Sequence, residues 1–366
     1  MASNLQNAPT TTSAAVASLG FQGVPILLGQ DIFGTGKLRA FYSSGTFVVP
    51  PGVTQIRVRV HGAGGAGGLA MSGSTLKATG GGGGGFAMKT LTVTPGASYA
   101  VTVGKGGQQV YLPSTGVFNA YAGGTSSFGA VCSATGGAGG VTGSGAATLA
   151  GSAGGVGSGG DFNFTGGASG AILSTTTAAF GTGGGGCATI LGNGGAGGNI
   201  TTGANGSVSG ASGGGGALKK AGDVDSVEGS TYGAGVLAGS GPSSLGTAGA
   251  GVGLNGVASL GSEGGVLPAY AFSRFAGDIL FGSGTGPQPQ FAYAGAGSGG
   301  KRANGGGGVY VGNGGAFGGG GGVAANNANN IAGGTGGIGG GGGGAACTSG
   351  IGFNGGGGDG LVVVEW

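Results

Sequence analysis

Charged and chemically reactive side chains are scarce in this chain. Only 6% of its 366 residues are charged, and it contains one histidine, three cysteines and nine carboxylates. Catalytic sites need several such groups converging on one place, so the sequence predicts that the protein is not an enzyme and holds no metal or cofactor. The single histidine, His61, follows a strand-like stretch and is interpreted as a structural residue.

The cysteines and basic residues are too dispersed for the sites that they usually form. Cys132, Cys187 and Cys347 lie far apart without a C-x-x-C spacing, which favours small buried residues over a zinc site or a disulfide framework. The net charge is +3, but the 12 Lys and Arg form only two adjacent pairs, at 219–220 and 301–302. We therefore expect no nucleic acid partner.

Two strings resemble ligand motifs only in part. Asp223, Asp225 and Glu228 lack the further ligands of a calcium-binding loop, and a solvated turn explains them better. The string GAGSGGKR at 295–302 has Arg302 where a phosphate-binding loop needs Ser or Thr, and no helix pattern follows it. Neither string predicts a binding site.

Long apolar runs and helical periodicity are also missing. No uninterrupted apolar span approaches the roughly 20 residues of a transmembrane helix. The amino terminus, MASNLQNAPTTTSAAVASLG, lacks the basic start and apolar core of a signal peptide. We expect a protein that is made in the cytoplasm and that leaves a cell only as part of an assembly.

Glycine is what the chain has in abundance, with 110 residues. The glycines fall in irregular runs and proline totals only 10, which excludes collagen. With 38% apolar residues and a mean hydropathy of +0.29, the chain is too apolar for a flexible linker. Because glycine has no Cβ, extended polyproline-II-like segments can pack more closely than side chains permit and hydrogen-bond laterally.

Three regions carry strand patterns. They are residues 44–61, 86–104 and 360–366, and the last implies that the carboxyl terminus returns to the start of the domain. Within the second region, LTVT and YAVTVG flank Pro95 and Gly96, which predicts a hairpin.

The predicted fold is all-β. It consists of a small β-sandwich-like core with packed, extended, polyglycine-II-like segments and loops, and it has almost no helix. Residues 1–43, with few glycines, are predicted to be an attachment segment, and residues 44–366 the glycine-rich β domain.

Four richer inserts interrupt the glycine runs and are predicted to be loops that carry specificity. They lie at 108–124, 161–180, 217–237 and 265–295. The aromatic residues of the last insert are unusual in a chain that is 7% aromatic; they are Tyr270, Phe272, Phe275, Phe281, Phe291 and Tyr293. Exposed, they would anchor a partner; otherwise they would cap the ends of a glycine lattice that lacks a side-chain core.

The order of motifs resembles the glycine-rich domain of bacteriophage and prophage tail proteins. The motifs are FVVPPGVTQIRVRVHGAGGAGG, then GGGGGGFAMKTLTVTPGASYAVTVGKGG, then GGTSSFGA and finally GGGGDGLVVVEW, covering about 44–140 and 354–366. The distal adhesins of phage tail fibres are similar in composition. This resemblance implies stacked polyglycine II helices that present loops to an outer-membrane protein or a surface glycan of the bacterial host.

Two functions are compatible with this resemblance. In the first, the chain is a receptor-binding adhesin in the tail of the virion, joined to other tail or fibre proteins through residues 1–43, and a homotrimer as phage fibres commonly are. Its predicted receptor-binding residues are Tyr111, Phe118, Tyr121, Phe162, Phe164, Tyr232, Tyr270, Phe272 and Phe275. In the second, the chain is a purely architectural fibre, baseplate or decoration protein.

Overall fold

A computed structural model describes much of the chain from residue 37 onward. The described residues are 37–71, 73, 76–173, 175, 179–200, 210–212, 214–216, 301–303, 309–325 and 330–366. Within them the protein is all-β and has no helix, as predicted. Residues 1–36 of the predicted attachment segment and the predicted loops at 217–237 and 265–295 lie outside the described residues.

Two five-stranded antiparallel sheets form a sandwich around the main hydrophobic core. The first sheet contains, in spatial order, β1 (Leu38–Phe41), β23 (Leu361–Glu365), β3 (Gln55–His61), β6 (Phe86–Thr92) and β14 (Phe162–Phe164). The second contains β13 (Gly157–Ser158), β11 (Cys132–Ala134), β10 (Ser126–Phe128), β7 (Ser98–Thr102) and β2 (Gly45–Val48). Val58, Val60 and Val362 of the first sheet pack against Phe47 and Phe128 of the second.

The carboxyl-terminal strand closes the domain, as the sequence predicts. Strand β23 lies between β1 and β3, with Val362 opposite Val60 and Val363 opposite Ala40. Strand β1 belongs to the predicted attachment segment 1–43, yet it is an integral strand of the first sheet. The folded domain therefore begins before residue 44.

The predicted hairpin across residues 86–104 is wrong. Strand β6 pairs with β3 and β14, whereas β7 pairs with β2 and β10 in the opposite sheet. The turn at Pro95 and Gly96 thus carries the chain from one sheet to the other. Val93 and Val101 are both buried in the core between the sheets. Alternation of apolar and polar residues shows which side chains point into the core. Two strands on opposite sides of the core show the same alternation as two strands that pair by hydrogen bonds.

Three smaller sheets lie at the other end of the molecule, here called the far end. The first contains β12 (Thr142–Ser144), β5 (Leu76–Ala78), β15 (Phe180–Gly181) and β16 (Gly210–Ala211). The second contains β17 (Lys301–Ala303), β19 (Val323–Ala325), β21 (Ala345–Cys347), β4 (Leu69–Met71) and β9 (Gly116–Phe118). The third contains β18 (Val309–Tyr310), β20 (Asn330–Ala332), β22 (Ile351–Phe353) and β8 (Tyr111–Leu112).

Between the sandwich and the far end lies a lattice of extended glycine-rich segments. Residues 62–68 show its rule, because their N–H groups donate in three directions in strict rotation. Gly62, Gly65 and Gly68 donate to segment 79–85; Ala63 and Ala66 donate to 119–125; Gly64 and Gly67 donate to 354–360. The N–H direction thus repeats at every third residue, as it does in a polyglycine II helix, which has three residues per turn.

The hydrogen bonds arrange these segments in four stacked layers. The outer layer holds 119–125, 135–141, 149–156, 165–171 and 193–200; the second holds 103–107, 62–68, 79–85, 182–188, 212 and 214–216; the third holds 354–360, 339–344 and 318–322; the fourth holds 333–338 and 311–315. Each segment bonds to its neighbours within its layer and to the adjacent layers. The predicted packing of polyglycine-II-like segments is confirmed, and every segment runs between the sandwich and the far end.

Glycine is required inside the lattice because neighbouring backbones touch there. A Cβ at Gly83 would overlap the carbonyl oxygen of Gly186, and one at Gly184 would overlap that of Gly341. In the outer layer, side chains recur at every third residue and point away from the lattice, whereas the pure-glycine runs 80–85 and 339–344 are buried. These outward residues include Thr135, Ala138 and Val141; Ala150, Ala153 and Val156; and Asn193, Ala196 and Asn199.

Gly83→Ala tests the lattice directly. Its Cβ would meet the backbone oxygen of Gly186, which cannot rotate away. We expect the free energy of unfolding to fall by about 3 kcal/mol or more, as in an overpacked core. The matched control is Gly356→Ala, whose Cβ would lie 3.6 Å from Gln109 Cβ. It should change stability by about 1 kcal/mol or less. Equal losses in urea denaturation would contradict the lattice packing.

The cysteines give a second test. Cys132, Cys187 and Cys347 are all buried and form no disulfide, and burial raises the pKa of Cys132 to about 11. Since the thiolate is the reactive form, we expect no rapid reaction with a disulfide reagent at pH 8. All three thiols should react after denaturation in guanidinium. A thiol that titrates quickly in the native protein would be inconsistent with this packing.

Candidate functional site

An exposed aromatic surface lies where the lattice meets the far end. Two lattice segments, 103–107 and 119–125, lead to and from the strands β8 and β9. Tyr111 and Tyr121 are 43% and 54% exposed, and Val117 on β9 is 59% exposed. Large exposed hydrophobic side chains grouped in this way mark contact surfaces more often than single ones do. This group, completed by Phe118 and Phe353, is called the aromatic edge below.

Partner rings fix the orientation of both exposed tyrosines. The ring of Tyr111 lies 4.6 Å from that of Phe353, and Tyr121 meets Phe118 edge to face at 5.4 Å. Phe118 and Leu112 pack in turn against the buried cluster of Leu69, Met71, Val323, Ala325, Ile331, Ala345 and Cys347. The aromatic edge is thus seated on the hydrophobic core of the far end.

One buried amide ties the aromatic edge to the lattice. Asn354 is fully buried; its Oδ1 accepts a hydrogen bond from the N–H of Val110, and its Nδ2 donates to Gly67 O at 2.6 Å. Gln109 Nε2 donates to the carbonyl oxygen of Asn354 at 2.8 Å. The chain entering β8 is therefore held to Asn354 at Gln109 and at Val110.

Exposed amides accompany the rings. Gln108, Gln109 and Asn119 are all exposed. Asn119 Oδ1 accepts hydrogen bonds from the N–H of Thr142 at 2.7 Å and from its Oγ1 at 2.8 Å. Because Gln109 and Asn119 are each held through one amide atom, the other amide atom is presented in a defined direction. Such amides supply both donors and acceptors to a ligand.

The aromatic edge is electrically neutral. Residues 106–122 contain no charged side chain. The nearest preceding charge, Lys105, forms a 2.8 Å ion pair with Asp359, whose other carboxylate oxygen accepts from the N–H of Gly106. The site can therefore offer aromatic faces and amide hydrogen bonds, but no strong field for a charged ligand.

The predicted receptor-binding residues fall in three groups. Tyr111, Phe118 and Tyr121 all belong to the aromatic edge, where Phe118 meets Tyr121 and Tyr111 meets Phe353. Phe162 and Phe164 lie on β14 at the sandwich end, where Phe162 is 50% exposed and the ring of Phe164 stacks on that of Phe86 at 6.2 Å. Tyr232, Tyr270, Phe272 and Phe275 lie outside the described residues.

Two of the predicted loops contain more structure than the sequence indicates. Residues 108–124 include β8, β9 and part of a lattice segment, and residues 161–180 include β14, another lattice segment and the start of β15. Phe353 and Asn354 are absent from the predicted set. The contact at Phe353 comes from pairing of β8 with β22, which lie more than 200 residues apart in sequence and share no local pattern.

Arg59, His61 and Glu365 are buried polar residues of the first sheet. Arg59 Nη2 is 2.9 Å from Glu365 Oε1, and both side chains are almost fully buried. The ring of His61 stacks on that of Phe317 at 4.7 Å and contacts the tilted ring of Phe86 at 4.8 Å, and its Nδ1 lies 3.3 Å from Ala188 O. These groups hold strands and turns together, in keeping with the structural interpretation of His61.

Near Phe162 the surface is charged instead of neutral. Lys89 Nζ lies 2.8 Å from Asp161, and this hydrogen bond, together with one from the N–H of Thr90, lowers the pKa of Asp161. In the described part of the chain no group of three or more His, Cys, Asp or Glu residues is placed to hold a metal ion. The same residues include no helix long and apolar enough to span a membrane.

Comparison with known proteins identifies one family. A glycine-rich domain family matches residues 42–161, about a third of the chain. The match runs from the residue after β1 to the residue before β14. This region is therefore similar to that glycine-rich domain. It contains Tyr111, Phe118 and Tyr121 but not Phe353. No curated protein matches the chain.

Asn354→Ala tests how the aromatic edge is anchored. The substitution leaves Gly67 O and the N–H of Val110 without their side-chain partners in a buried place. We expect a loss of about 1–3 kcal/mol in the free energy of unfolding. Amide hydrogen exchange should quicken in 108–118 more than in β3. Asn313→Ala is the matched control, because Asn313 is exposed and caps only the N–H of Thr335. Unchanged exchange in 108–118 would exclude the anchoring role.

Proposed function

We propose that this chain is a non-catalytic receptor-binding protein of a bacteriophage tail. The observation that carries the proposal is the aromatic edge, a neutral surface of exposed rings held in fixed orientation on a rigid lattice. Binding surfaces are typically loops or edges presented by a rigid scaffold, and tyrosine is enriched among the residues that dominate binding energy. The bacterial receptor is an outer-membrane protein or a surface glycan.

The tail assignment is supported by the order of motifs along the chain. The matched region 42–161 contains three of the four motifs that resemble phage tail proteins. The fourth motif covers residues 355–366, which form most of lattice segment 354–360 and strand β23. In this proposal residues 1–43 join other tail or fibre proteins, and the protein is made in the host cytoplasm and carried on the virion. Strand β1 connects that segment directly to the sandwich, so force at the attachment point would pass into the first sheet.

A specific observation also favours the architectural alternative. The lattice pairs backbone groups in three directions and joins sandwich to far end along many parallel segments, which suits a stiff, protease-resistant shaft or decoration. The two functions differ in whether the exposed rings of the aromatic edge are needed for contact with a cell.

Binding to bacterial cells separates the two functions. The fluorescently labelled full chain is incubated with a panel of bacterial strains, and bound protein is measured by flow cytometry. We expect saturable binding to a subset of strains. Tyr111→Ala combined with Tyr121→Ala should lower affinity about tenfold or more, because truncation of an anchor residue costs more than about 1 kcal/mol.

Leu191→Ala is the matched control, since Leu191 is a large hydrophobic residue that is 45% exposed, about as much as Tyr111, in the turn between lattice segments 182–188 and 193–200. Its binding should stay within about twofold of the unaltered chain, because it lies outside the aromatic edge. Melting temperatures of all variants are compared to confirm that they fold. Absence of binding to every strain, or equal losses in the control, would favour the architectural function.

A further inference from the structure

The aromatic edge has the chemistry of a sugar-binding surface. The geometry points to a neutral oligosaccharide as its ligand, an inference that rests on the proposed receptor-binding function and selects between its two receptor classes. The face of an aromatic ring carries partial negative charge, which attracts the polarised C–H groups on the apolar side of a pyranose ring. Tyr111 and Tyr121 offer such rings in fixed orientation.

The amides around the rings match the polar side of a sugar. Hydroxyl groups both donate and accept, so a site for them needs donors and acceptors together. Gln109 and Asn119 provide exposed amides that are already held by Asn354 O and by Thr142. A ligand that binds to preorganised groups loses less conformational entropy in the protein than one that must order them.

The two tyrosines provide two stacking positions, one on each of two neighbouring stretches of the chain. Gly107 lies against the backbone of Tyr121 in the neighbouring lattice segment. Tyr111 is four residues beyond Gly107 and therefore lies within about 14 Å of it, given at most about 3.6 Å per residue. Two separated stacking positions along one edge fit an extended oligosaccharide.

The charge pattern selects a neutral sugar. Residues 106–122 carry no charge, and Lys105 is already paired with Asp359. A phosphorylated or sialylated glycan would find no cation placed for it within this stretch of sequence. The patch also lacks Arg and Trp, two of the residue types enriched at the centres of protein–protein interfaces. An outer-membrane protein is thus the less favoured receptor.

The test measures binding of the full chain to immobilised neutral oligosaccharides of glucose, galactose and N-acetylglucosamine, with their sialylated and phosphorylated forms alongside. We expect binding to at least one neutral glycan, with little change in affinity between low and high salt because no ion pair forms. Tyr111→Ala and Tyr121→Ala should each weaken binding about tenfold, whereas Tyr111→Phe and Tyr121→Phe keep the stacking face and should stay within about threefold. Leu191→Ala should bind as the unaltered chain does.

Two treatments of the bacterial cells separate this inference from the function on which it rests. Periodate destroys sugars and protease destroys surface proteins. If cells bind through the aromatic edge and periodate abolishes binding, both proposals hold. If protease abolishes binding and periodate does not, the receptor function holds and the glycan inference is overturned. Binding of charged glycans alone, of no glycan at all, or equal losses in the Phe and Ala variants also overturns it.

Discussion

Backbone-to-backbone contact without intervening Cβ atoms is the constraint on which this fold depends. A polyglycine II helix directs successive N–H groups to three sides, and residues 62–68 use all three sides within one segment. Such a segment is fully satisfied only when neighbours surround it, so a single one has no stability of its own. The lattice therefore forms as a unit, and the cost of ordering many glycines is offset by lateral hydrogen bonds that no ordinary side chain would permit.

Larger side chains are found at the ends and along the rim of the lattice, where they have two structural roles. At both ends they supply apolar burial, through the sandwich core around Val58 and Phe128 and through the far-end cluster around Leu69 and Ile331. Along the rim, asparagines cap outward N–H groups of neighbouring segments: Asn193 caps Thr165 and Asn199 caps Ala171, each at 2.9 Å. A capped N–H cannot pair with another chain, so these asparagines limit edge-to-edge association of the lattice.

Local patterns in the sequence predict the elements but not their partners. Alternation locates β3, a continuous apolar run locates β23, and glycine runs such as 80–85 locate the lattice segments, because each signal depends on consecutive residues. The false hairpin at 86–104 shows the limit, since Val93 and Val101 have the same pattern whether their strands pair or face each other across a core. The period-three spacing of Thr135, Ala138 and Val141 is a signal that separates outer from inner segments. It becomes interpretable once the threefold geometry is recognised.

The candidate site also depends on partners that local sequence patterns do not predict. The packing of the lattice determines why the site lies at an edge. Tyr111, Phe118 and Tyr121 stand out in an aromatic-poor sequence, but Phe353 meets Tyr111, and Asn354 holds Val110, across more than 200 residues of chain. Inside the lattice a large side chain has no room, and in the outer layer the outward side chains other than that of Tyr121 are mostly small. The large rings lie near the far end of the edge segments, where the apolar cluster around Leu69 and Ile331 is available beneath Phe118. The packing rule that demands glycine elsewhere therefore also determines where a binding surface can be built.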